Sequence, residues 1–401
     1  MNILHINTQD SGGAFQAAYR LHQGLLEQAV NSDFLVLYNT QPRNRVHAFL
    51  EYQTSFLNKL RNSVKYRWIT QRNNALIKDK PSTQFSFAHT AFDIANHPLV
   101  QKADVIHLHW VANFLDYASF FRKIKKPVVW TLHDMNPFSG GFHYKTYESE
   151  VYHHLDKKVN TQKQKALEKA RSLHIVAPSK WLLNASKQST TLKRFPHHHI
   201  PYGLDTQLFK PLSKSESRTV LDLPKGAKII LFVAESLNDQ RKGVAYLLEA
   251  LQYLKEYPLY LALLGGGKTI QLIHPHKSMG FVEDITKIVN IYAAADVFVI
   301  PSQEDNLPNT VLESLACGTP VIGFDIGGIP DMVNHGKNGL TTPPFDTQKL
   351  AENIKKILYD EDLKKEMQIN ARRTVEDHFY LALQAKKYVS LYQKILSDKI
   401  D

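Results

Sequence analysis

Residues Pro301–Pro320 read PSQEDNLPNTVLESLACGTP and follow directly on the apolar run Asp296-Val297-Phe298-Val299-Ile300. The run predicts a buried strand and the polar stretch a loop. Pro308 in a first turn, with Gly318 and Pro320 past the end, predicts a helix between them. Strand, acidic loop and helix start together aim backbone N–H groups and the positive helix end above the sheet, an arrangement suited to phosphate. Asp305 lies on the loop and Glu313 eight residues further, just over two helical turns. Carboxylates so placed suit the hydroxyls of a ligand whose phosphates sit at the helix start (Asn306, Leu307, Pro308, Asn309, Thr310). The alternative is one carboxylate beside a helix cap and one on a solvated face.

Outward from this block the chain alternates strand and helix patterns. Met1–Asn7, Phe34–Tyr38, Asp104–Leu108, Val128–Leu132 and Leu173–Ala177 read as strands in the first half. Lys228–Ala234, Leu259–Leu264, Val297–Ile300 and Val321–Phe324 restart the series in the second. Two βα series predict an α/β protein with two parallel-sheet, Rossmann-like domains, joined near Gly203–Ser217, where Pro, Gly, Lys and Ser content rises. The expected organisation is residues 1–203, residues 204–380 and a C-terminal helix over 381–401 that packs back on the first domain. Ligands of such sheets bind beyond the carboxyl ends of the strands, so two such domains would face each other across a cleft.

Those strand ends carry the other candidates. Gly12-Gly13 follow the first strand and permit close approach of a ligand to backbone, or simply make a βα turn. His109-Trp110 and His133-Asp134 end two further strands, and a buried His-Asp without partners would be costly. Packed, satisfied side chains are the alternative for His109 and Trp110. In AESLNDQRKG (Ala234–Gly243), Arg241 and Lys242 stand before a helix whose dipole disfavours cations, a placement more natural for binding a diphosphate than for a solvated pair. Gly280-Phe281-Val282 could line a base pocket with backbone groups. Leu264–Lys268 lacks the spacer of a GxxxxGK phosphate loop and reads as a turn.

Composition narrows the classes. The 401 residues suffice for two domains, and 43% hydrophobic with 22% charged residues is a globular balance. The one cysteine, Cys317, excludes an internal disulfide and reads as a packed small hydrophobe. A net charge of +11 implies anionic partners. Zinc-ligand cysteines, stacked-aromatic RNA motifs and a helix-turn-helix pattern are missing from the sequence, so nucleic acid is not expected. His197-His198-His199 lacks ligand spacing and reads as strand or loop. No apolar run reaches membrane-spanning length and MNILHINTQDSGG is no signal peptide, so a cytoplasmic protein is expected. The excess of positive charge gathers in Phe56–Lys80, where Phe56, Leu60, Val64 and Trp68 recur every four residues among Lys59, Arg61, Lys65, Arg67, Arg72, Lys78 and Lys80. That pattern fits either a helix packed on its own domain or a basic amphipathic helix at an anionic membrane.

These motifs resemble glycosyltransferase family 4, retaining enzymes of the GT-B fold. YAAADVFVIPSQEDNLPNTVLESLACGTPVIGFDIGGIPDMV (Tyr292–Val333) is similar to the family's most recognisable block, with Asp305 where Glu is usual and Glu304 just before it. IPYGLDTQLFKP (Ile200–Pro211) is similar to the interdomain segment, and LHW with TLHDMNPFSGGFHY resembles a subgroup that builds bacterial surface polysaccharides of the colanic-acid type. The usual Arg after the strand preceding the KG is absent; Glu235 and Ser236 stand there, and Arg241 is the substitute. The resemblance implies metal-free transfer of a sugar from a nucleotide-diphosphate donor to a saccharide or lipid-linked acceptor, with no cofactor. It implies a catalytic set of His133, Asp305, Arg241 and Lys242, with Glu313 on the donor ribose and His109, Trp110 and Asp134 on the acceptor. A nucleotide-sugar epimerase of the same architecture and a non-catalytic nucleotide-sugar-binding subunit are the alternative functions.

Overall fold

The computed structural model describes residues 1–52, 56–77, 85–267 and 271–398; for residues 52, 56–62 and 147 only the backbone is described. Lys78, Lys80, Lys268 and residues 399–401 of the expected C-terminal helix lie outside the described residues, as do the side chains of Phe56, Lys59, Leu60 and Arg61. The chain forms two compact units, Met1–Pro201 with Gln384–Asp401, and Tyr202–Leu383.

The first unit is built on strands β1 (Asn2–Ile6), β2 (Asn31–Val36), β3 (Val46–Ala48), β4 (Val105–Leu108), β5 (Val128–Thr131), β6 (Leu173–Ala177) and β7 (His197–His199). They form one sheet in the order β3-β2-β1-β4-β5-β6-β7, every pair parallel. The second unit holds β8 (Lys228–Ser236), β9 (Leu259–Gly266), β10 (His276–Ser278), β11 (Val297–Ile300), β12 (Val321–Phe324) and β13 (Gly339–Thr342), in the order β10-β9-β8-β11-β12-β13, again all parallel. The strands expected from apolar runs are present. Sequence reading missed the short edge strands β3, β10 and β13 and left β7 open between strand and loop. VHA, HKS, GLTT and HHH are three or four residues long and carry no apolar run, because an edge strand need not be buried on both faces.

In both sheets the order reverses beside the first strand, between β1 and β4 and between β8 and β11, so adjacent loops leave in opposite directions and open a crevice there. One face of the first sheet buries Ile106, Leu108, Val128, Trp130 and Ile175 in a large core. The other face is covered by the helix Gly12–Glu27, through Leu21 and Leu25, and by the C-terminal helix Leu381–Ser397, through Ala385, Tyr388, Leu391, Tyr392 and Ile395. Tyr388 and Tyr392 are one turn apart and their hydroxyls meet polar groups of the sheet: Tyr388 Oη lies 2.7 Å from Thr131 Oγ1, and Tyr392 Oη 2.7 Å from His107 Nδ1. Around the second sheet Leu247, Leu251, Leu350, Ile354 and Ile357 pack on Ile230, Leu261, Val299 and Ile322.

Helix starts follow local chemistry. Asp116, Ser179, Asp284, Asp346 and Asp360 each accept a first-turn backbone N–H. The helix Phe56–Leu76 departs from a packed stripe: Val64 and Trp68 are 61% and 60% exposed, while Ile69 is buried. Among the described residues no helix is long and apolar enough to cross a membrane.

Removing the tyrosine hydroxyls should loosen the first unit. In a Tyr388→Phe, Tyr392→Phe double variant, Thr131 Oγ1 and His107 Nδ1 each lose a buried partner, a cost of about 1–3 kcal/mol apiece. All four tryptophans (Trp68, Trp110, Trp130, Trp181) lie in this unit, so urea unfolding followed by Trp fluorescence should show an earlier transition. A coincident transition would show these bonds to be unimportant.

Candidate functional site

In the second unit the crevice between β8 and β11 brings the sequence candidates together. After β8 the chain passes through a short 3-10 turn, Gln240–Lys242, to Gly243. Gly243 has φ +73°, and a Cβ there would lie 1.8 Å from Pro301 O, so only glycine lets this loop press against the start of the acidic loop. Gln303 N donates to Arg241 O at 2.8 Å and Arg241 Nη1 to Glu304 O at 2.8 Å, stitching the two loops. Lys242 Nζ is 2.5 Å from Asp305 Oδ2, and Arg241 Nη1 is 3.5 Å from the same oxygen. The far side of the loop is closed by Gly327, φ +61°, whose Cβ would lie 1.9 Å from Asp305 O. Gly328 N donates to that oxygen.

Burial opposes charge on Asp305, yet Lys242 and then Arg241 outweigh it and hold the carboxyl below the ordinary range. Burial, then Arg241, lowers Lys242, against which Asp305 acts. The result is an anion and two cations fixed at the mouth of a helix. That helix, Asn309–Ala316, starts one residue later than expected: Pro308 is its N-cap, at φ −63° and ψ 122°, and donates no N–H of its own. Glu313, four residues into the helix, accepts from Tyr292 Oη at 2.9 Å, and Tyr292 is fully buried. Gly280, φ +66°, follows β10 and its carbonyl accepts from Gly265 N, which brings the Gly280–Val282 turn to the end of β9; Phe281 is 66% exposed. Cys317 is buried and burial pushes its thiol up, which disposes of a nucleophile.

In the first unit Gly12 begins its helix at φ +82° just beyond β1. At the ends of β4 and β5 the buried His-Asp pair has the partners its burial demands. Asp134 Oδ2 accepts from His143 Nδ1 at 2.5 Å and Trp110 Nε1 at 2.8 Å, and Oδ1 from Asn136 N. His143 Nε2 lies 2.8 Å from Ser86 Oγ. Lys163, 1% exposed, reaches from the helix His153–Leu167 to Asn136 O and Gly140 O, and burial brings its pKa down to about 7. Asp156 Oδ1 further accepts from Gly141 N at 2.6 Å and Phe142 N at 3.3 Å. The whole loop after β5 is thereby held.

His109 corrects the sequence expectation of an acceptor contact. It is 2% exposed, and its ring lies against His5 Nδ1 at 2.8 Å and His133 Nε2 at 3.1 Å, so it stands behind His133. His133 itself is 9% exposed, and burial lowers its pKa to about 4 against the opposing charge of Asp134. Sequence reading missed His5, Ser86, His143, Lys163 and Tyr292. His107, also missed, was findable as the residue on the same face two before His109, whereas Ser86 and Lys163 carried no local signal. His5, His107 and His109 are close enough to share a metal ion. His107 is already bonded to Thr131 at Nε2 and Tyr392 at Nδ1, however, so an ion would gain ligands only by breaking such bonds.

The family "Glycosyl transferases group 1" matches residues 213–374, and "Glycosyltransferase Family 4" matches residues 11–208. The chain belongs to these glycosyltransferases. The N-acetyl-alpha-D-glucosaminyl L-malate synthase of Bacillus anthracis is 25% identical over 218 residues. That match takes in 54% of this chain and little over half, 56%, of the relative's length. Sucrose-phosphate synthase from Thermosynechococcus elongatus superposes with a TM-score of 0.73 at 19% identity, over 99% of this chain and 100% of that one. Anabaena HepE in complex with UDP and glucose does so at 0.70 and 18%, over 98% and 99%. The fold is GT-B.

The carboxylates of the second unit should make its stability acid-sensitive. Asp296, just before β11, is bound by Lys214 Nζ at 2.7 Å, Arg218 Nη2 at 2.8 Å and Ile229 N at 2.8 Å. Burial alone would raise its pKa, but these partners hold it low, as Lys242 and Arg241 do for Asp305. A depressed carboxyl contributes stability above its unfolded pKa, about 4, and loses it as pH falls through the folded value. Urea midpoints followed by far-UV circular dichroism should therefore drop steeply below about pH 4. Asp296→Asn should flatten that dependence and cost about 3 kcal/mol or more at pH 7 by leaving Arg218 buried without its counter-charge. Equal midpoints at pH 6 and pH 3 in the parent would contradict the assignment.

Proposed function

We propose that the chain transfers a sugar, with retention of configuration, from a nucleotide-diphosphate sugar to a saccharide or lipid-linked acceptor during assembly of a surface polysaccharide. One observation carries this: Arg241 and Lys242 converge with Asp305 at the strand-order reversal of the second sheet, beside the start of the helix that carries Glu313. A diphosphate needs fixed cations and N–H groups, and a sugar needs an oriented carboxylate; both are held here before any ligand arrives. The UDP and glucose bound to the structurally similar HepE support a donor of this class.

In this reading Glu313 holds the ribose. Lys242, Arg241 and the Leu307–Thr310 helix start hold the diphosphate in place of a metal ion, and Asp305 orients the sugar. Gly280–Val282 line the base, and Gly12-Gly13 approach the donor phosphates. The bond from the anomeric carbon to the phosphate oxygen breaks as the acceptor oxygen bonds to the same face, and the acceptor proton passes to the leaving phosphate. His133 meets the transferred sugar, its backbone carbonyl facing the developing positive charge, while Trp110, held by Asp134, makes the acceptor platform. Incubation with radiolabelled nucleotide sugars tests the reading: transfer only in the presence of an acceptor supports it, and turnover of donor alone to an epimer would replace it.

Ligand binding separates the roles. Glu313→Ala should weaken nucleoside and nucleoside diphosphate alike by about tenfold, the worth of one charge-assisted hydrogen bond. Lys242→Ala should weaken the diphosphate alone and slow transfer by roughly a hundredfold, because leaving-group charge grows in the transition state. Calorimetric titration of both variants with both ligands checks this; equal losses in Lys242→Ala would remove Lys242 from the phosphates.

The helix Phe56–Leu76 is the proposed contact with an anionic membrane at its cytoplasmic face. Val64, Tyr66, Trp68 and Leu76 stand exposed beside exposed Lys65, Arg67 and Arg72, and the Arg72 guanidinium lies 5.3 Å from the Trp68 ring. Apolar groups among cations suit the headgroup region, each cation adding about 1 kcal/mol at most. Binding to vesicles containing phosphatidylserine should fall with salt and nearly vanish when Lys59, Arg61, Lys65, Arg67 and Arg72 become Gln. A variant that binds as the parent does would leave the helix a solvated face.

A further inference from the structure

The indole of Trp110 ends a chain of polar groups that begins far from it in sequence. Phe85 and Ser86 cross the loop after β5. Phe85 pairs with Phe142 in an antiparallel bridge, Ser86 N donates to Gly141 O at 2.8 Å, and a Cβ on Gly141 would lie 2.2 Å from the Phe85 ring. That crossing sets Ser86 Oγ 2.8 Å from His143 Nε2. His143 Nδ1 lies 2.5 Å from Asp134 Oδ2, and Trp110 Nε1 lies 2.8 Å from the same oxygen. The His143 ring also lies beside the indole, the centroids 5.4 Å apart. Ser86, His143 and Asp134 are buried, whereas Trp110 is only partly so.

The carboxylate fixes the protons. Burial would raise the Asp134 pKa, but His143 above all, then Asn136 N and Trp110, hold it below the ordinary range, so the group is an anion and can only accept. His143 therefore meets it with a proton on Nδ1. Trp110 Nε1 also lies 3.3 Å from that nitrogen, but a protonated Nδ1 offers no lone pair, so the indole N–H belongs to Asp134. When the imidazole is neutral its Nε2 is a lone pair, which the Ser86 hydroxyl fills. An indole has one N–H and no other polar atom. With that N–H committed to a buried carboxylate, whatever part of Trp110 reaches the edge is carbon and π-surface.

We propose that Ser86 and His143 are positioning residues for the acceptor, holding the Trp110 indole so that it meets a saccharide with its ring alone and stacks on the C–H face of a pyranose. The inference rests on Trp110 as the acceptor platform and adds the chemistry of the contact. An unheld indole could turn its N–H to an acceptor hydroxyl. Here that turn would cost Asp134 one of its buried partners, so the N–H stays inward. Ser86 and His143 act through Trp110 and touch no substrate.

Protein labelled with 15N in histidine and tryptophan tests the chain before any ligand is added. Loss of signals in His143→Gln and Trp110→Phe identifies the two rings. In the parent, His143 should carry a proton on Nδ1 at pH 7, and the Trp110 indole N–H should exchange with solvent roughly a hundredfold more slowly than an exposed indole. His143→Leu should speed that exchange about tenfold, the worth of one buried hydrogen bond, and Ser86→Ala should do so to a lesser degree. His143→Asn, which keeps an N–H at the Nδ1 position, should restore it. Methyl pyranosides of glucose, galactose and mannose then probe the platform, with UDP as the control. A bound pyranoside should shift the carbon-bound ring protons of Trp110 and leave its N–H as slow as before. His143→Leu should weaken pyranoside binding about tenfold and leave UDP binding unchanged, and His143→Asn should recover the loss. An Nδ1 without a proton, or a Trp110 N–H as fast as an exposed indole, overturns the proposal even if His143→Leu does not fold. So does unchanged exchange in a folded His143→Leu, or a pyranoside that moves the indole N–H signal and not the ring protons. A panel that moves no Trp110 signal while the chain stands would instead overturn the reading of Trp110 as the acceptor platform.

Discussion

A parallel sheet has a direction, and nearly everything functional here follows from it. When every strand runs the same way, all carboxyl ends and the loops leaving them lie along one edge, and the order reversal opens that edge at one place. In the second unit the place is between β8 and β11, which is why residues some sixty positions apart in sequence, Lys242 and Asp305, meet at 2.5 Å. In the first unit the ends of β1, β4 and β5 bring Gly12, Trp110 and the His133 loop to the corresponding edge. The glycines mark how tightly this is done. Gly243 and Gly327 exist where backbone lies against backbone on either side of the acidic loop, and any side chain would force the loops apart.

The two units bury polar groups by different means. In the second, charge is met by charge: Asp296 has Lys214 and Arg218, Asp305 has Lys242 and Arg241. Desolvating such groups is expensive and is offset only by near-complete partnering, so each carboxylate also takes backbone N–H groups. In the first, the row His5, His107 and His109 loses its charge altogether, since burial makes the imidazolium unfavourable. Neutral rings cost far less to bury and still form directed bonds. Ion pairs keep fixed charge at the crevice of the second unit, whereas the neutral row of the first gives directed bonds without charge.

The block Tyr292–Val333 disclosed one βαβ passage and its carboxylates because each feature is local: a strand of four apolar residues, a proline at a helix start, acids at helical spacing. Arg241 and Lys242 were legible for the same reason, as cations misplaced at a helix N-terminus. What escaped was whatever depends on register between distant strands. Nothing in MNILHIN says that His5 will lie opposite His107, and nothing near Ser86 or Lys163 says that each will support the Asp134 loop. His109 was misjudged for a related reason: position past a strand end places a residue near the edge, but whether it lies in front of or behind its neighbour is settled by side-chain packing. Short edge strands fail differently, since three residues carry too little pattern to be read at all.

The helix Leu381–Ser397 leaves the second unit at Leu383 and lays Ala385, Tyr388, Tyr392 and Ile395 on the first sheet, against Ile3, Val105 and Val129. During synthesis, strands β1 to β7 therefore emerge with one face covered by the helix Gly12–Glu27 but missing the rest of its cover until all of Tyr202–Leu383 has been made. For that interval the nascent first unit presents an apolar strip, with His107 and Thr131 short of their hydroxyl partners, and the strip is a place for a chaperone to hold or for a neighbouring nascent chain to stick. The second unit has no such debt to sequence beyond its own end, so the half made last is the one able to finish folding first.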